Sequence, residues 1–313
     1  MLFICTCSQD STTDILLPHL QESMVFRFNI DKYEDYSWDF SRGGFIITNN
    51  KNQRIIDSQT ISSFYLRKPI YFNGIDIPKS GCLENWRREE TDALFKDFYR
   101  ACESSGLTAV VRCRSGKYGK LRQLLIAEKY FRVANWHMFH GMRPSDLNEG
   151  RWVVKTLTGT SVGDGKMLFV REVNPMALDL SYPWFLQEKI DGEDEVTVVY
   201  VCGRIFSYCF PRSAIEDSED VRKVSIEDPS KWKPCKLSES ECLSICGFMK
   251  ETGYRFGRFD FIRKNGELWF LELNPNGQWA WLDEDNKDGL ISAIADAIIV
   301  EDLRHQELLA NKC

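Results

Sequence analysis

The sequence predicts a mixed α/β chain of the α+β kind, with an antiparallel sheet in its C-terminal half. Three observations carry this. An apolar run at Leu2–Cys7 leads into a polar turn and a helix, as a small α/β lobe begins. Helical periodicity recurs at about 86–103, 120–131, 239–252 and 288–307. From Trp184 onward strand-like runs crowd together at 184–190, 195–201, 204–210, 256–263 and 267–273. A chain of 313 residues has room for about two domains or one large unit with lobes.

In chain order, the first strand ends in Ser8–Asp14, a polar turn offering several N-caps for a helix over Ile15–Gln21. Short strands are expected at Val25–Asn29, Phe45–Thr48, Arg54–Asp57 and Ser62–Leu66, set apart by Asn, Gly and Asp turns. The helix from about Trp86 to Glu103 places Trp86, Leu94, Phe95 and Phe98 as its apolar positions. Arg112–Lys120 reads as a basic linker and lacks the spacing of a phosphate-binding Walker loop. The next helix carries the stripe Leu121, Leu124, Leu125 and Phe131. Strands Arg151–Lys155 and Met167–Arg171 bracket a Gly-rich segment, and a charged loop spans 211–238. The last helix has Ile291, Ile294, Ala295 and Ile298 on one face.

Composition removes several function classes. Lys and Arg number 40 against 46 Asp and Glu, a net charge of −6, so bulk charge does not hold this chain on nucleic acid or an anionic membrane. No apolar run approaches the roughly 18–20 residues that span a bilayer. The first residues lack a basic segment and reach Asp10 early, unlike a signal peptide. Eleven cysteines, an odd number without a C-x-x-C pair, and four histidines fit neither a disulfide framework nor a zinc site. Reduced, buried thiols in a cytoplasmic protein are expected.

The chemistry concentrates in Arg258-Phe259-Asp260-Phe261-Ile262 and Leu271-Glu272-Leu273-Asn274-Pro275-Asn276-Gly277-Gln278. Asp260 and Glu272 are carboxylates in otherwise apolar strands, and each needs cations or hydrogen bonds. Glu272 and Asn274, two apart, share one strand face. Hard oxygen ligands of this kind suit Mg²⁺. Register decides whether they meet. A two-residue turn at Asn265-Gly266 pairs Asp260 with Leu271 and separates the carboxylates; a longer loop or a bulge pairs Asp260 with Glu272. A structural pair inside a hairpin is the competing reading. A second constellation is Lys155 leaving an apolar strand into Thr156–Lys166, able to bring an ammonium and backbone N–H groups to phosphates, or to serve as an ordinary connection. A third is Phe185–Ile190, a strand end that could offer backbone hydrogen bonds to a purine edge.

Together, the order and spacing of these segments resemble the ATP-grasp superfamily, and within it the graspetide (microviridin-type) peptide maturases and the ribosomal-protein-modifying glutamate ligases. The resemblance covers nearly the whole chain. Ser8–Thr13 and Phe64–Pro69 look like the N-terminal lobe of the maturases, and Leu271–Gln278, continuing to Trp281, is the most specific match. It implies an N-terminal α/β pre-ATP-grasp lobe over 1–117, a central lobe over 118–187 and a C-terminal lobe over 188–313, with nucleotide between the last two. Lys120 and Lys155 would be the two ATP lysines, and Gly159, Gly163 and Gly165 part of the lid over the phosphates. Gln187, Glu188, Lys189 and Ile190 would read adenine through their backbone, and Glu195 the ribose. Asp260, Glu272 and Asn274 fall on the magnesium triad, and Arg222, in an Asp220-x-Arg222 element, would face phosphate or acyl phosphate. Thr197 stands where many relatives carry arginine, and Arg212 or Arg222 is expected to supply that charge. The lid has Ser161, Val162 and Asp164 where tighter glycine runs are usual.

The resemblance thus implies an ATP- and Mg²⁺-dependent ligase that activates Asp or Glu carboxylates of a precursor peptide, leader plus core, and forms ω-ester or ω-amide rings. The alternative is an amino-acid or glutamate ligase acting on a free small molecule or a protein C-terminus. A non-catalytic nucleotide-binding module is the third reading. Arg204, Arg212, Arg222 and Lys223 would meet an acidic peptide, or form a solvated loop. A homodimer is left open, and Trp279 and Trp281 fit an interface, a substrate contact or a core equally well.

Overall fold

The computed structural model describes residues 1–42, 44–67, 118–157, 170–214 and 231–299, together with helical positions at Trp86, Glu90, Ala93, Leu94 and Asp97. The rest of the helix expected over 86–103, most of the 112–120 linker and the strand start at 167–169 lie outside the described residues. The chain divides into two units, 1–114 with 275–313 and 115–274.

In the first unit β1 (Leu2–Thr6) runs parallel between β2 (Val25–Asn29) and β6 (Ser63–Leu66). All five residues of β1 are buried, as a central parallel strand requires. Phe3 stacks on Phe26, Phe28 and Phe64 with ring centroids 6.1, 6.1 and 5.4 Å apart, and these rings centre the core. A second, antiparallel sheet is formed by β3 (Tyr36–Ser41), β4 (Gly44–Asn49) and β5 (Ile55–Asp57) among the described residues of this unit. The first helix, α1, spans Ser11–Leu16 and so starts four residues before the expected Ile15. Its start is set by polar residues: Thr6 and Thr13 donate to the buried Asp10 carboxylate at 2.7 and 2.5 Å. Pro18 lacks an N–H and turns the continuation into a 3₁₀ segment, Leu17–His19, short of the expected Gln21. Residues 290–299 are helical, and all four residues of the expected stripe, Ile291, Ile294, Ala295 and Ile298, are buried. Trp279 is fully buried, which settles it as a core residue.

The second unit begins with α2 (Lys120–Ala127). The helix stops four residues before the expected Phe131, because the chain must be extended again at β7 (Arg132–Val133), which pairs with the edge of a sheet. Leu125, expected on the apolar stripe, is 53% exposed; the inner face is Gln123, Leu124, Ile126 and Ala127. Phe131 still reaches the core and packs edge-on to Phe261 at 5.0 Å.

Two sheets follow. β8 (Trp136–Phe139), β9 (Trp152–Lys155), β10 (Arg171–Val173) and β11 (Trp184–Glu188) form an antiparallel sheet in the order β10-β9-β11-β8. β12 (Asp194–Val201), β13 (Arg204–Pro211), β14 (Lys233–Pro234), β15 (Phe256–Lys264) and β16 (Glu267–Asn274) join β7 in a six-stranded sheet, ordered β14-β13-β12-β15-β16-β7. The helix α3 (Glu239–Thr252) matches the expected span. A Ser238/Glu241 capping box opens it and Gly253, at φ 70°, closes it. Phe248 of α3, Leu124 of α2 and Phe259, Phe261 and Phe270 of the large sheet share one core. The described cysteines are all free, but among them only Cys5 is buried; the others reach solvent to some degree, unlike the buried thiols expected.

Candidate active site on the six-stranded sheet

The site rests on the β15–β16 hairpin. Lys264 pairs with Glu267 across a two-residue turn, with Asn265 and Gly266 at φ 52° and 78°. Both values are left-handed, the type I′ geometry that Asn-Gly favours. From this turn the register runs regularly to Phe261 opposite Phe270 and then shifts, so that Asp260 faces Glu272 and Arg258 faces Asn274. The extra residue is Leu271. An unbulged ladder would set Glu272 opposite Phe259, on the aromatic core face. The bulge turns it to the side of Asp260. Short turn and bulge therefore occur together, and the carboxylates share one face.

That face is charged and well partnered. Asp260 Oδ1 lies 3.2 Å from the Thr197 hydroxyl on β12, and Oδ2 accepts from Arg258 at 3.0 Å and from Asn274 Nδ2 at 3.2 Å. Asn274 Nδ2 also lies 3.1 Å from Glu272 Oε1. Lys120, in the first turn of α2, places Nζ 2.9 Å from Glu272 Oε2 and 3.0 Å from the Thr156 carbonyl. The same helix is pinned to β16 by buried Gln123, which accepts from Leu273 N at 3.0 Å and donates to Tyr118 O at 3.1 Å. Glu195, two residues from Thr197 and on its face, pairs with Arg212 at 3.0 Å.

The charges shift one another. Burial opposes ionisation of Glu272, but the Lys120 ammonium, with help from Lys155 and the Asn274 amide, holds its carboxyl down to about 2. Lys155 is lowered to about 8, mainly by burial and further by Lys120, with Glu272, Glu195 and Asp260 working the other way. Lys155 thus feels the whole carboxylate cluster.

Solved structures similar to this chain include a RiPP-associated ATP-grasp ligase from Chryseobacterium gregarium in complex with ADP and a leader and core peptide. Its TM-score is 0.79, at 22% identity over 96% of each chain. The macrocyclase MdnC of Microcystis aeruginosa, bound with precursor peptide MdnA, gives 0.76 at 19% identity over 96% of this chain and 99% of that one. The chain has the ATP-grasp fold. A Bacillus anthracis D-alanine–D-alanine ligase complexed with ATP lies further off, at 0.54 and 15% identity over 98% of both chains. No protein-family model and no curated protein matches the sequence.

Within this fold the residues singled out from the sequence fall into three groups. Asp260, Glu272, Asn274 and Lys120 are brought together on one surface, with Lys155 electrostatically coupled to them. Gly159, Gly163, Gly165 and Arg222 lie outside the described residues, as does Lys223, while Arg204 is exposed at a hairpin turn. The rest are present and, Gln187 with its unpartnered buried Nε2 apart, engaged. The Glu188 and Lys189 N–H groups donate to Asn135 O and Arg151 O at 2.8 and 2.7 Å, and the Ile190 side chain packs with Ala134 and Ile262. The Glu188 carboxylate accepts from Asn135, and Lys189 pairs with Glu172. Arg212 is bound to Glu195.

Sequence reasoning passed over Arg258, which supplies from β15 a guanidinium on the face where Thr197 leaves none. An Arg-x-Asp pair on a strand, two apart and so on one face, was the available signal. Gln123 gave only a weaker one, a polar residue on the inner side of an apolar helix. A cavity of about 430 Å³ lined by Arg151, Glu172, Asn174 and Met176, among others, contains none of the carboxylate cluster.

The donor set fits Mg²⁺. Among the described residues no group of three or more His, Cys, Asp or Glu side chains gathers into a metal cage. Mg²⁺ needs less from a protein, commonly one or two carboxylates with phosphate and water completing the shell. The Asn274 amide nitrogen bridges Asp260 and Glu272, a position where a cation is favoured, and rotating that amide by half a turn presents its oxygen.

Proposed function

We propose that this chain is an ATP- and Mg²⁺-dependent ligase acting on a ribosomally made precursor peptide. It activates Asp or Glu side-chain carboxylates as acyl phosphates and joins them to hydroxyls or amines, forming ω-ester or ω-amide macrocycles. The observation that carries the reading is the meeting of Asp260, Glu272 and Asn274 beside Lys120, in the ATP-grasp fold. The greater likeness to peptide-bound ligases than to the D-alanine–D-alanine ligase supports a peptide substrate over a free amino acid.

The substrate carboxylate attacks the terminal phosphorus of ATP and ADP leaves; a hydroxyl or amine of the peptide then displaces phosphate. The chain contributes position and charge rather than a covalent nucleophile. Lys120, Lys155 and Arg258 offset phosphate charge, and Arg222 is assigned the same duty. Asp260, Glu272 and Asn274 would hold Mg²⁺, which supplies charge neutralisation at the phosphates when bound. Glycines 159, 163 and 165 are assigned to the phosphate lid, and Glu195 to the ribose. A central lobe up to 187 and a C-terminal lobe from 188 would enclose the nucleotide. Leader and core segments of the peptide are the expected partner. No described helix is long and apolar enough to cross a membrane, and the cytoplasm is the proposed location.

Mass spectrometry of candidate precursor peptides after incubation with the chain, ATP and Mg²⁺ tests the reading, with loss of one water per ring expected. ADP release with free amino acids and none with peptide would replace it by the small-molecule ligase. Absence of ADP release with every carboxylate offered would overturn both.

A further inference from the structure

Arg67, the residue after β6, is fully buried and meets no acid. Its Nη1 donates to the carbonyls of Asn276 and Gly277 at 2.7 and 3.1 Å and to the Asn276 side-chain oxygen, and its Nη2 to Gln278 Oε1 at 3.1 Å. Each of these acceptors is neutral, and Nε has none. The two acids buried among the described residues of this unit are engaged elsewhere, Asp10 by Thr6 and Thr13, Asp283 by the N–H groups of Asp288 and Leu290. A buried cation without an opposite charge is costly, and an apolar side chain of like volume would pack there more favourably. What the guanidinium can do, and an apolar side chain cannot, is hold three consecutive residues at once.

The two carbonyls belong to successive planar peptide units, so fixing both oxygens fixes both planes. Asn276 Nδ2 lies 3.4 Å from the Leu66 carbonyl, and Thr12 donates to Gln278 Oε1 at 2.8 Å, which adds ties to β6 and α1. Arg67 and residues 276–278 all belong to the first unit. The clamped segment begins two positions after Asn274, the last residue of β16, whose amide lies between Asp260 and Glu272. Only Pro275 intervenes, and its ring locks φ at about −65°. The backbone at Asn274 is thus constrained from both directions, by its pairing with Arg258 across the hairpin and by the Arg67 clamp further along the chain.

We propose that Arg67 is a positioning residue for the metal-binding amide: by clamping Asn276–Gln278 it sets the orientation in which Asn274 meets Mg²⁺, and with it the affinity for the ion. The inference rests on the assignment of Asp260, Glu272 and Asn274 to Mg²⁺. Groups that orient a metal ligand without touching the metal commonly change metal affinity by about ten-fold or more.

Calorimetric titration of ADP at a series of Mg²⁺ concentrations into the parent chain, Arg67→Lys and Arg67→Met tests this, with a thermal melt of each chain alongside. Lysine keeps the charge and loses the fork that grips several oxygens. The Mg²⁺ concentration that gives half the maximal ADP affinity should rise about ten-fold in Arg67→Lys, while the affinity at saturating Mg²⁺ approaches that of the parent. Methionine also removes a positive charge, which by its field alone would tighten Mg²⁺ binding, so a weakening in Arg67→Met reports position rather than charge. A folded Arg67 variant with a lower melting point and the parent's Mg²⁺ dependence overturns the proposal, since a structural role alone moves only the melt. Should neither variant fold, Asn276→Ala, which keeps the guanidinium and removes one acceptor, should shift the Mg²⁺ dependence in the same direction, and no shift there overturns the proposal equally. A parent that binds no ADP, or binds it regardless of Mg²⁺, overturns the metal assignment and this role with it.

Discussion

Asp260 stands directly across the hairpin from Glu272, although the turn joining their strands would by itself set Asp260 against Leu271. The difference is one residue. Leu271 is taken up in a bulge, and its side chain packs beside Ile262 and Ile190 while Glu272 turns to the charged face. The bulge also lets Leu273 return to the core beneath. Two demands on one strand, apolar packing on one side and paired carboxylates on the other, are met by a change of parity between them.

If this face carries phosphoryl transfer, Asp260→Asn and Glu272→Gln should each lower ATP turnover on the order of a thousand-fold or more. The fold should survive, because the substitutions keep shape and the Lys120–Glu272 pair is about a third exposed on each side, while Glu272→Gln, which removes the counter-charge of Lys120, should cost about 1–3 kcal/mol. ADP release alongside a thermal melt measures both. Full turnover in either variant would remove the carboxylates from the mechanism.

Gln123→Leu should destabilise the fold by about 1–3 kcal/mol, since it strands the buried Leu273 N–H and the Tyr118 carbonyl. The helix bearing Lys120 should loosen against the strand bearing Glu272. Urea unfolding measures the first effect, and ADP affinity the second. An unchanged midpoint would mean that the amide is dispensable.

Lys155 gives a pH dependence with a definite sign. Its lowered pKa, about 8, means that the free chain begins to lose this ammonium there. Bound phosphate favours the charged form, so ADP affinity should be level below that point and fall, approaching ten-fold per pH unit, as pH rises through it. The groups acting on it are Glu272, Lys120, Glu195 and Asp260. Lys155→Arg should flatten the profile between about pH 7 and 9, arginine staying charged throughout. A flat profile in the parent would contradict the assignment.

Gly266→Val should cost about 1–2 kcal/mol, because its φ of 78° is left-handed and no neighbouring atom crowds its Cβ position, leaving backbone strain as the cause. Denaturant melts report it. A variant as stable as the parent would argue against the type I′ turn.

Much of the layout was legible because local chemistry is strong where packing demands little else. Val25–Asn29 and Glu239–Thr252 lie where apolar runs, caps and a closing glycine put them. Legibility failed where distant partners set the limits. Asp10, gathering Thr6 and Thr13, pulled α1 forward, and β7, drawn to the sheet edge, cut α2 short at Ala127. Leu125 looked like a core residue by spacing, but the sheet beneath took Gln123 and Ile126 instead.

The identities of the site residues were fixed by sequence alone: two acids and an amide in apolar strands, a lysine at a helix start, another leaving a strand. Their meeting was decided only by tertiary structure. Strand side chains alternate with a period of two, so one residue more or less sends a carboxylate to solvent, to a partner or into a core of phenylalanines. No local preference chooses among these. The pairing of β15 with both β12 and β16 does, by giving Asp260 its place opposite Thr197 on one side and Glu272 on the other.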